Sequence, residues 1–168
     1  QPPFLLIDEA VVRRNIRQFQ DYADRHGFAV RPHVKTHKSL RIARMQLEAG
    51  AAGVAVAKVG EAEVMAAIDN LDILVAYPAV GAARAKSLAM LARIRKLTVA
   101  ADTDYLIDEL DNAAGEHETT IGILVMFDAG LHRCGVSDPG QVTRLASRVA
   151  SRKSLRFDGI QIYLGHLF

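Results

Sequence analysis

Short runs of apolar residues alternate along the chain with longer segments in which apolar residues recur every three or four positions. The short runs are continuously apolar, which is typical of parallel strands that are buried on both faces. The longer segments have helical spacing, and turn-forming residues such as glycine and proline separate the two kinds of segment. Repeated strand–helix units of this kind predict an α/β protein with a parallel sheet and helical crossovers.

The pattern predicts six strands, and six units are too few to close an eight-stranded barrel. By itself it therefore favours an open doubly wound sheet in one domain. The predicted strands span residues 28–36, 53–57, 72–77, 97–101, 121–127 and 157–164. The predicted helices span residues 9–26, 39–48, 60–67, 82–95, 105–114 and 139–151, with Asp8, Ser39, Asp102 and Asp138 as N-caps and an apolar entry segment at Phe4-Leu5-Leu6-Ile7.

One basic stretch closes the first of these long strands, Arg31-Pro32-His33-Val34-Lys35-Thr36-His37-Lys38. If the stretch is extended, its side chains alternate, and one face carries Arg31, His33, Lys35 and His37. Cations crowded around a lysine favour its free amine, which a nucleophilic or imine-forming lysine needs. A charge-blunted edge strand or a phosphate-binding strand would show the same pattern, so the residues alone leave these alternatives open.

Composition narrows the classes of function. Half of the 168 residues are hydrophobic and the formal net charge is +2, which indicates a globular domain with no nucleic-acid partner. No apolar run approaches the roughly 20 residues of a membrane span, and no signal-peptide pattern is present, so we expect no membrane partner. The single cysteine, Cys134, favours a cytoplasmic location. Because the chain begins at Gln1, we expect it to be part of a longer polypeptide.

Reactive side chains in a parallel α/β fold lie at the carboxyl ends of the strands. Arg133 is the strongest candidate there besides Lys35, because a guanidinium suits a phosphate, carboxylate or phenolate partner. Four others have simpler interpretations: Lys58 as a solvated charge, Tyr77 as a packing residue, Asp102 as a helix cap, and Asp128 as a turn former beside Gly130. Cys134 is interpreted as a small buried hydrophobe, and His33, His37 and His166 do not have metal-ligand spacing.

The basic stretch resembles the lysine motif of the D-threonine aldolase and D-serine dehydratase group, within the alanine racemase-like (fold type III) pyridoxal phosphate enzymes. Other segments share the resemblance, namely Pro3-Phe4-Leu5-Leu6-Ile7-Asp8, Val56-Ala57-Lys58-Val59-Gly60-Glu61-Ala62, Ile73-Leu74-Val75-Ala76-Tyr77-Pro78, Asp128-Ala129-Gly130-Leu131-His132-Arg133-Cys134-Gly135-Val136 and Tyr163-Leu164-Gly165-His166. The resemblance implies a parallel (β/α) barrel of TIM type, of which residues 1–168 hold about six of eight units. The last barrel strands and a C-terminal β-domain would then lie outside this chain.

The resemblance also implies roles for individual residues. Lys35 would carry pyridoxal 5'-phosphate as a Schiff base, Arg133 would lie near the phenolic oxygen of the cofactor, and Tyr163 would face the ring or the substrate. His33 and His166 match family positions and are expected to contribute to cofactor binding. A divalent metal ion (Mn, Mg or Zn) would be held by residues that are not in this chain.

The implied activity is that of a pyridoxal phosphate-dependent lyase, D-threonine aldolase-like, which cleaves D-β-hydroxy amino acids. Such a protein would be a cytoplasmic homodimer at full length. A D-serine dehydratase or an amino-acid racemase of the same fold is the alternative within the class. The alternatives from other classes are a non-catalytic pyridoxal phosphate-binding barrel and a barrel in which Lys35 only pairs with an anion.

Overall fold

Five parallel strands form one sheet, and their order across the sheet is their order along the chain. The computed structural model describes residues 6–167. The strands are β1 (Val54–Val56), β2 (Asp72–Val75), β3 (Lys96–Ala101), β4 (Ile121–Phe127) and β5 (Leu155–Ile162). A doubly wound sheet reverses its strand order at a switch point, whereas a barrel adds each strand beside the last. The expectation of an open doubly wound sheet was therefore wrong, and the barrel type is confirmed.

Six α-helices in the described residues precede or connect these strands. They are α1 (Glu9–Arg25), α2 (Leu40–Glu48), α3 (Val59–Met65), α4 (Ala82–Ala92), α5 (Asp104–Glu116) and α6 (Pro139–Ala150). Alternate residues of the strands, such as Ile73 and Val75 in β2, are fully buried with the helices in one hydrophobic core. The opposite faces of the strands therefore line the interior of the partial barrel.

The predicted N-caps are confirmed with one exception. Asp8, Ser39 and Asp138 accept hydrogen bonds from the first backbone N–H groups of α1, α2 and α6. Thr103, and not Asp102, caps α5, because the hydroxyl of Thr103 accepts the N–H of Leu106 at 3.2 Å. Of the predicted entry segment, residues 4 and 5 lie outside the described residues, and Leu6 and Ile7 are exposed without regular secondary structure.

The first predicted strand is an extended segment, residues 28–33, that pairs with β1 through a single bridge between His33 and Ala55. The N–H of Ala55 donates to the carbonyl of Pro32 at 2.8 Å. Proline has no N–H to offer a second neighbour, which suits the edge of the sheet. The prediction of a strand through Thr36 was wrong beyond His33, because residues 34–37 form a turn that leads into α2.

A β-bulge interrupts β5, which was predicted two residues later than it lies. Ile123 of β4 pairs with Phe157 and the next residue pairs with Gly159, so Asp158 has no partner in the ladder. Gly159 has φ +131°, a conformation that favours glycine. Beyond the bulge, the side chain of Gln161 crosses the interior and donates to the carbonyl of Ala76 at 3.0 Å.

The amino ends of the strands carry a layer of paired charges, which we call the ionic floor. It consists of Arg31, Asp72, Lys96, Arg156 and Asp158. Oδ2 of Asp72 accepts from Arg31 at 2.9 Å and from Lys96 at 2.7 Å. Asp158 pairs with Arg156 at 2.6 Å and accepts from the buried hydroxyl of Thr98 at 2.8 Å. Each carboxylate of the floor is thus held by two donors.

Candidate active site

Lys35 lies in the turn of residues 34–37, which we call the lysine turn, at the carboxyl end of the first extended segment. Val34 is fully buried and donates its N–H to Ala55 at 2.9 Å, which fastens the turn to the edge of β1. Lys35 is exposed, and its backbone N–H donates to Nδ1 of His33 at 3.4 Å. The turn therefore presents an accessible amine at the carboxyl ends of the strands, where the active sites of parallel barrels lie.

The predicted basic face does not form as one row. Arg31 is used by the ionic floor, where it pairs with Asp72. His37 belongs to the start of α2, because its Nδ1 accepts the N–H of Ser39 at 3.0 Å. Only His33 and Lys35 remain together, since the chain leaves the extended conformation after His33. The prediction that four basic side chains share one face was therefore wrong.

Burial favours the neutral form of both histidines of the lysine turn region. It lowers the pKa of His33, and the positive charge of Lys35 lowers that pKa further, while Glu61 opposes the shift. Burial likewise lowers the pKa of His37. Nδ1 of each ring accepts a backbone N–H, which requires an unprotonated nitrogen. The neutral rings can therefore hold the backbone on both sides of Lys35.

Glu61 in α3 is an acidic residue near the lysine turn that sequence analysis did not identify. Its carboxylate accepts the N–H of Ala57 at 2.8 Å and lies 3.5 Å from the ammonium of Lys38. Burial raises the pKa of Glu61, but these contacts outweigh it and hold the pKa below its ordinary value. A glutamate three residues after the N-cap Lys58 was the available signal, since that spacing favours backbone capping.

Arg133, Tyr163 and Tyr77 form a stacked cluster at the carboxyl ends of β4, β5 and β2. The guanidinium carbon of Arg133 lies 4.4 Å from the ring centroid of Tyr163 and 5.9 Å from that of Tyr77. Tyr77 is 44% exposed, so its interpretation as a packing residue was wrong. Within residues 6–167, Arg133 forms no ion pair with a carboxylate. A guanidinium between aromatic faces leaves its in-plane N–H groups available to an anion.

The loop of residues 128–136 carries Arg133, and we call it the arginine loop. Oδ1 of Asp128 accepts the N–H groups of Gly130 and His132, each at 3.0 Å, so Asp128 does shape the turn. These two backbone donors hold the pKa of Asp128 below its ordinary value. His166 lies against the loop, because a Cβ built on Gly130 would meet Nε2 of its ring at 3.4 Å.

The candidate residues thus lie at the same edge of the sheet, the one formed by the carboxyl ends of the strands. Arg133, Tyr163 and Tyr77 are in direct contact, His166 borders the arginine loop, and the extended segment brings His33 and Lys35 to the same edge. An amine, a guanidinium and aromatic faces could bind a flat aromatic anion that carries a carbonyl group. Cys134 is half-buried in the arginine loop and does not belong to the core.

Residues 6–167 contain neither a metal-ligand cluster nor a membrane-spanning helix. No group of three or more His, Cys, Asp or Glu side chains there is arranged to hold a metal ion. No helix in that range is both long and apolar enough to cross a bilayer.

The sequence profile of the alanine racemase N-terminal domain matches residues 7–167. The chain belongs to this family. Within the alanine racemase N-terminal domain family, the chain is similar to D-threonine aldolase of Arthrobacter sp, with 38% identity over 163 residues, which are 97% of this chain and 43% of that protein. It is similar to 3-hydroxy-D-aspartate aldolase of Paracoccus denitrificans, with 38% identity over 167 residues, which are 98% of this chain and 43% of that protein.

A solved structure supports the same family assignment. The crystal structure of D-threonine aldolase from Filomicrobium marinum superimposes with a TM-score of 0.92 at 36% sequence identity. The superposition covers 96% of this chain and 44% of that chain. The chain therefore spans less than half the length of the relatives that it matches.

Proposed function

We propose that this chain is the N-terminal barrel portion of a pyridoxal phosphate-dependent lyase that cleaves D-β-hydroxy amino acids, in the manner of a D-threonine aldolase. The lysine turn is the observation that carries the proposal. It exposes Lys35 at the catalytic edge of the barrel, beside the neutral ring of His33. The similarity to aldolases over nearly the whole chain supports the choice of reaction.

The residues at this edge fit the organic part of pyridoxal phosphate. Its aldehyde suits the amine of Lys35 and its ring suits the face of Tyr163. Its phenolic oxygen suits the guanidinium of Arg133, which forms no ion pair within residues 6–167. His33 borders these groups from the extended segment, and His166 borders them from the short 3₁₀ helix Gly165–Leu167 that follows β5. When bound, the cofactor supplies an electron sink for the negative charge that develops at the substrate α-carbon.

Each residue then has a separate task in our proposal. Lys35 would hold the cofactor through its amine and would move a proton at the substrate α-carbon. Arg133 would donate hydrogen bonds to the phenolic oxygen. Tyr163, which already stacks with the guanidinium, would also support the ring. Orientation of the substrate above this platform would decide which bond breaks: Cα–Cβ in an aldolase, Cα–H in a dehydratase or racemase.

The proposal extends to parts of the protein beyond residues 1–168. We propose that the remaining barrel strands, a C-terminal β-domain and the ligands of a divalent metal ion lie there. We also propose a cytoplasmic homodimer that binds a small D-amino acid. Lys35, Arg133, Tyr163, His33 and His166 would be the contribution of this chain to the site.

Borohydride reduction of the full-length parent protein with pyridoxal phosphate tests the central assignment. We expect a reduced adduct on the peptide that contains Lys35, and its loss in Lys35→Ala. Lys58→Ala is the matched control, because Lys58 is an exposed lysine in the next unit of the barrel and should leave the adduct intact. An adduct on another lysine in the Lys35→Ala protein would contradict the assignment.

Substrate tests then distinguish the reactions. With Mn²⁺ or Mg²⁺, D-threonine should yield glycine and acetaldehyde, since breaking Cα–Cβ moves the hydroxyl proton and leaves the carbonyl on the departing fragment. Ammonia released from D-serine would instead indicate a dehydratase, and loss of optical rotation alone a racemase. An adduct without turnover of any of these amino acids would favour the non-catalytic carrier.

A further inference from the structure

The carboxylate of Asp102 stands at the end of β3 but binds the backbone of a different unit. Its Oδ2 accepts the N–H of Gly135, in the arginine loop, at 3.0 Å. Asp102 does not cap α5, because Thr103 occupies that position. The half-buried carboxylate therefore serves the loop after β4 and not the helix that follows it in sequence.

Gly135 is the point at which the arginine loop returns to the strand from which it left. Its φ of +99° is a conformation in which other residues are strained. A Cβ on Gly135 would lie 2.8 Å from the nitrogen of Asp128, so the two ends of the loop are in close contact. Val136 then donates its N–H to Met126 at 3.0 Å, which closes the loop on β4.

Two carboxylates thus hold the two halves of the loop, and neither forms an ion pair with Arg133. Asp128 fixes the first half through Gly130 and His132. Asp102 fixes the second half two residues after Arg133. Because Arg133 has no acidic partner within the described residues, the place of its guanidinium over Tyr163 is set by the backbone that these carboxylates hold.

We infer that Asp102 is a positioning residue for Arg133: its carboxylate pins Gly135 and so holds the guanidinium over the ring of Tyr163. The chemical consequence rests on the proposed function, because the anion that Arg133 would meet there is the phenolic oxygen of pyridoxal phosphate. The effect on the loop does not rest on it. The two claims can therefore be tested separately.

Cys134 supplies a reporter of the loop, because it lies between Arg133 and Gly135 and its thiol is free and half-buried. The cofactor-free parent protein is treated with iodoacetamide, and modification of the Cys134 peptide is followed by mass spectrometry. We expect Asp102→Ala to speed this alkylation roughly tenfold or more, the factor that loss of a hydrogen bond to a charged acceptor gives. Asp102→Asn should restore the parental rate, because its amide oxygen can still accept the N–H.

Asp111→Ala is the matched control for a general loosening of the fold. Asp111 also accepts a remote backbone N–H, that of Ser154 at 3.2 Å, but at the opposite end of the barrel. We expect its Cys134 to react at the parental rate. Gly135→Ala disturbs the same attachment from the donor side, and its effect should not add to that of Asp102→Ala. Parental reactivity in Asp102→Ala, or an equal rise in Asp111→Ala, would overturn the inference.

The second readout uses the protein with pyridoxal phosphate bound. We expect Asp102→Ala to shift the pH midpoint of the visible absorbance in the same direction as Arg133→Ala, and Asp102→Asn to restore it. A parental midpoint in an Asp102→Ala protein with a loosened loop would overturn the positioning role. If the parent protein takes up no cofactor, the proposed function fails, and the alkylation series still decides whether Asp102 holds the loop.

Discussion

The two ends of the partial barrel use the same kinds of charged residue in opposite ways. At the ionic floor, Asp72 and Asp158 each bind two donors. At the opposite edge, Lys35 and Arg133 form no ion pair with any carboxylate among residues 6–167. Arg31 and Lys35 illustrate the difference, since they lie four positions apart and only Arg31 is neutralised. The charges of the floor are paired with one another, whereas a reactive cation must remain available to a ligand.

The largest effects are expected when Lys35 or Lys96 is replaced by alanine. Lys35→Ala should abolish turnover of the parent protein and leave its free energy of unfolding unchanged, because Lys35 is exposed and forms no ion pair within the described residues. Lys96→Ala should do the reverse, since Lys96 binds Asp72 at 2.7 Å in the floor. Steady-state kinetics and urea denaturation of both variants measure this. Equal loss of activity in the two variants would contradict the division of roles between the ionic floor and the candidate site.

Gly122→Ala should break the floor without touching the candidate site. A Cβ on Gly122 would overlap the carboxylate of Asp158 and the guanidinium of Arg156, which are already bound to each other. Overpacking of this kind costs about 1–3 kcal/mol of unfolding free energy. Gly60→Ala is the control, because the nearest atom to its new Cβ lies at 4.0 Å. A Gly122→Ala protein as stable as its parent would show that the pair moves aside without cost.

The acid dependence of stability should report on Asp158. Burial raises its pKa, but hydrogen bonds from Arg156 and Thr98 outweigh burial and hold the pKa below its ordinary value of 3.8. The ionised form is thus favoured by folding, so its contribution is complete above pH 3.8 and is lost as the pH falls further.

The measurement compares the parent protein with Asp158→Asn by urea denaturation across pH. The stability difference between the two proteins should be constant near neutral pH and shrink below pH 3.8. A difference that grows as the pH falls would contradict the sign of this argument.

The smallest effect is expected from a second set of ion pairs, on the outer surface between α5 and α6. Asp108 pairs there with Arg148 and Arg152, and Asp104 pairs with Arg144. The side chains of Asp108, Arg148 and Arg152 are 33–38% exposed. Ion pairs that reach solvent contribute little and are screened by salt. Asp108→Ala should therefore lower stability less than Gly122→Ala does, and the loss should diminish in 1 M salt. If 1 M salt leaves the loss of stability unchanged, these ion pairs stabilise the fold in the same way as those of the ionic floor.

Much of the fold could be predicted from local patterns. β4 was exact because Ile121–Phe127 is continuously apolar, and α6 was found from the order of its cap Asp138 and Pro139. The lysine and arginine motifs placed Lys35, Arg133 and Tyr163 at one edge, and these assignments remain predictions. The lysine turn was missed because a strand ends where its hydrogen-bonding partner ends, and β1 is only three residues long.

Contacts between distant residues could not be read in the same way. Asp102 meets Gly135, and the floor joins Arg31 to Asp72 and Thr98 to Asp158, across separations of 33, 41 and 60 residues. From sequence alone, an aspartate just before a helix is interpreted as its N-cap and not as the acceptor of a hydrogen bond from another strand–helix unit. Such contacts follow from the curvature of the sheet, which local propensity does not specify.

The bulge in β5 changes which residues of the strand, even-numbered or odd-numbered, face the interior of the barrel. Without it, even-numbered and odd-numbered residues would keep to opposite faces throughout. With Asp158 unpaired, the even-numbered Arg156 and the odd-numbered Gln161 both line the interior. Deleting one residue here would turn Gln161 and Tyr163 toward the helices and bring Ile160 and Ile162 inside. A single extra residue thus lets one strand contribute side chains both to the ionic floor and to the candidate active site.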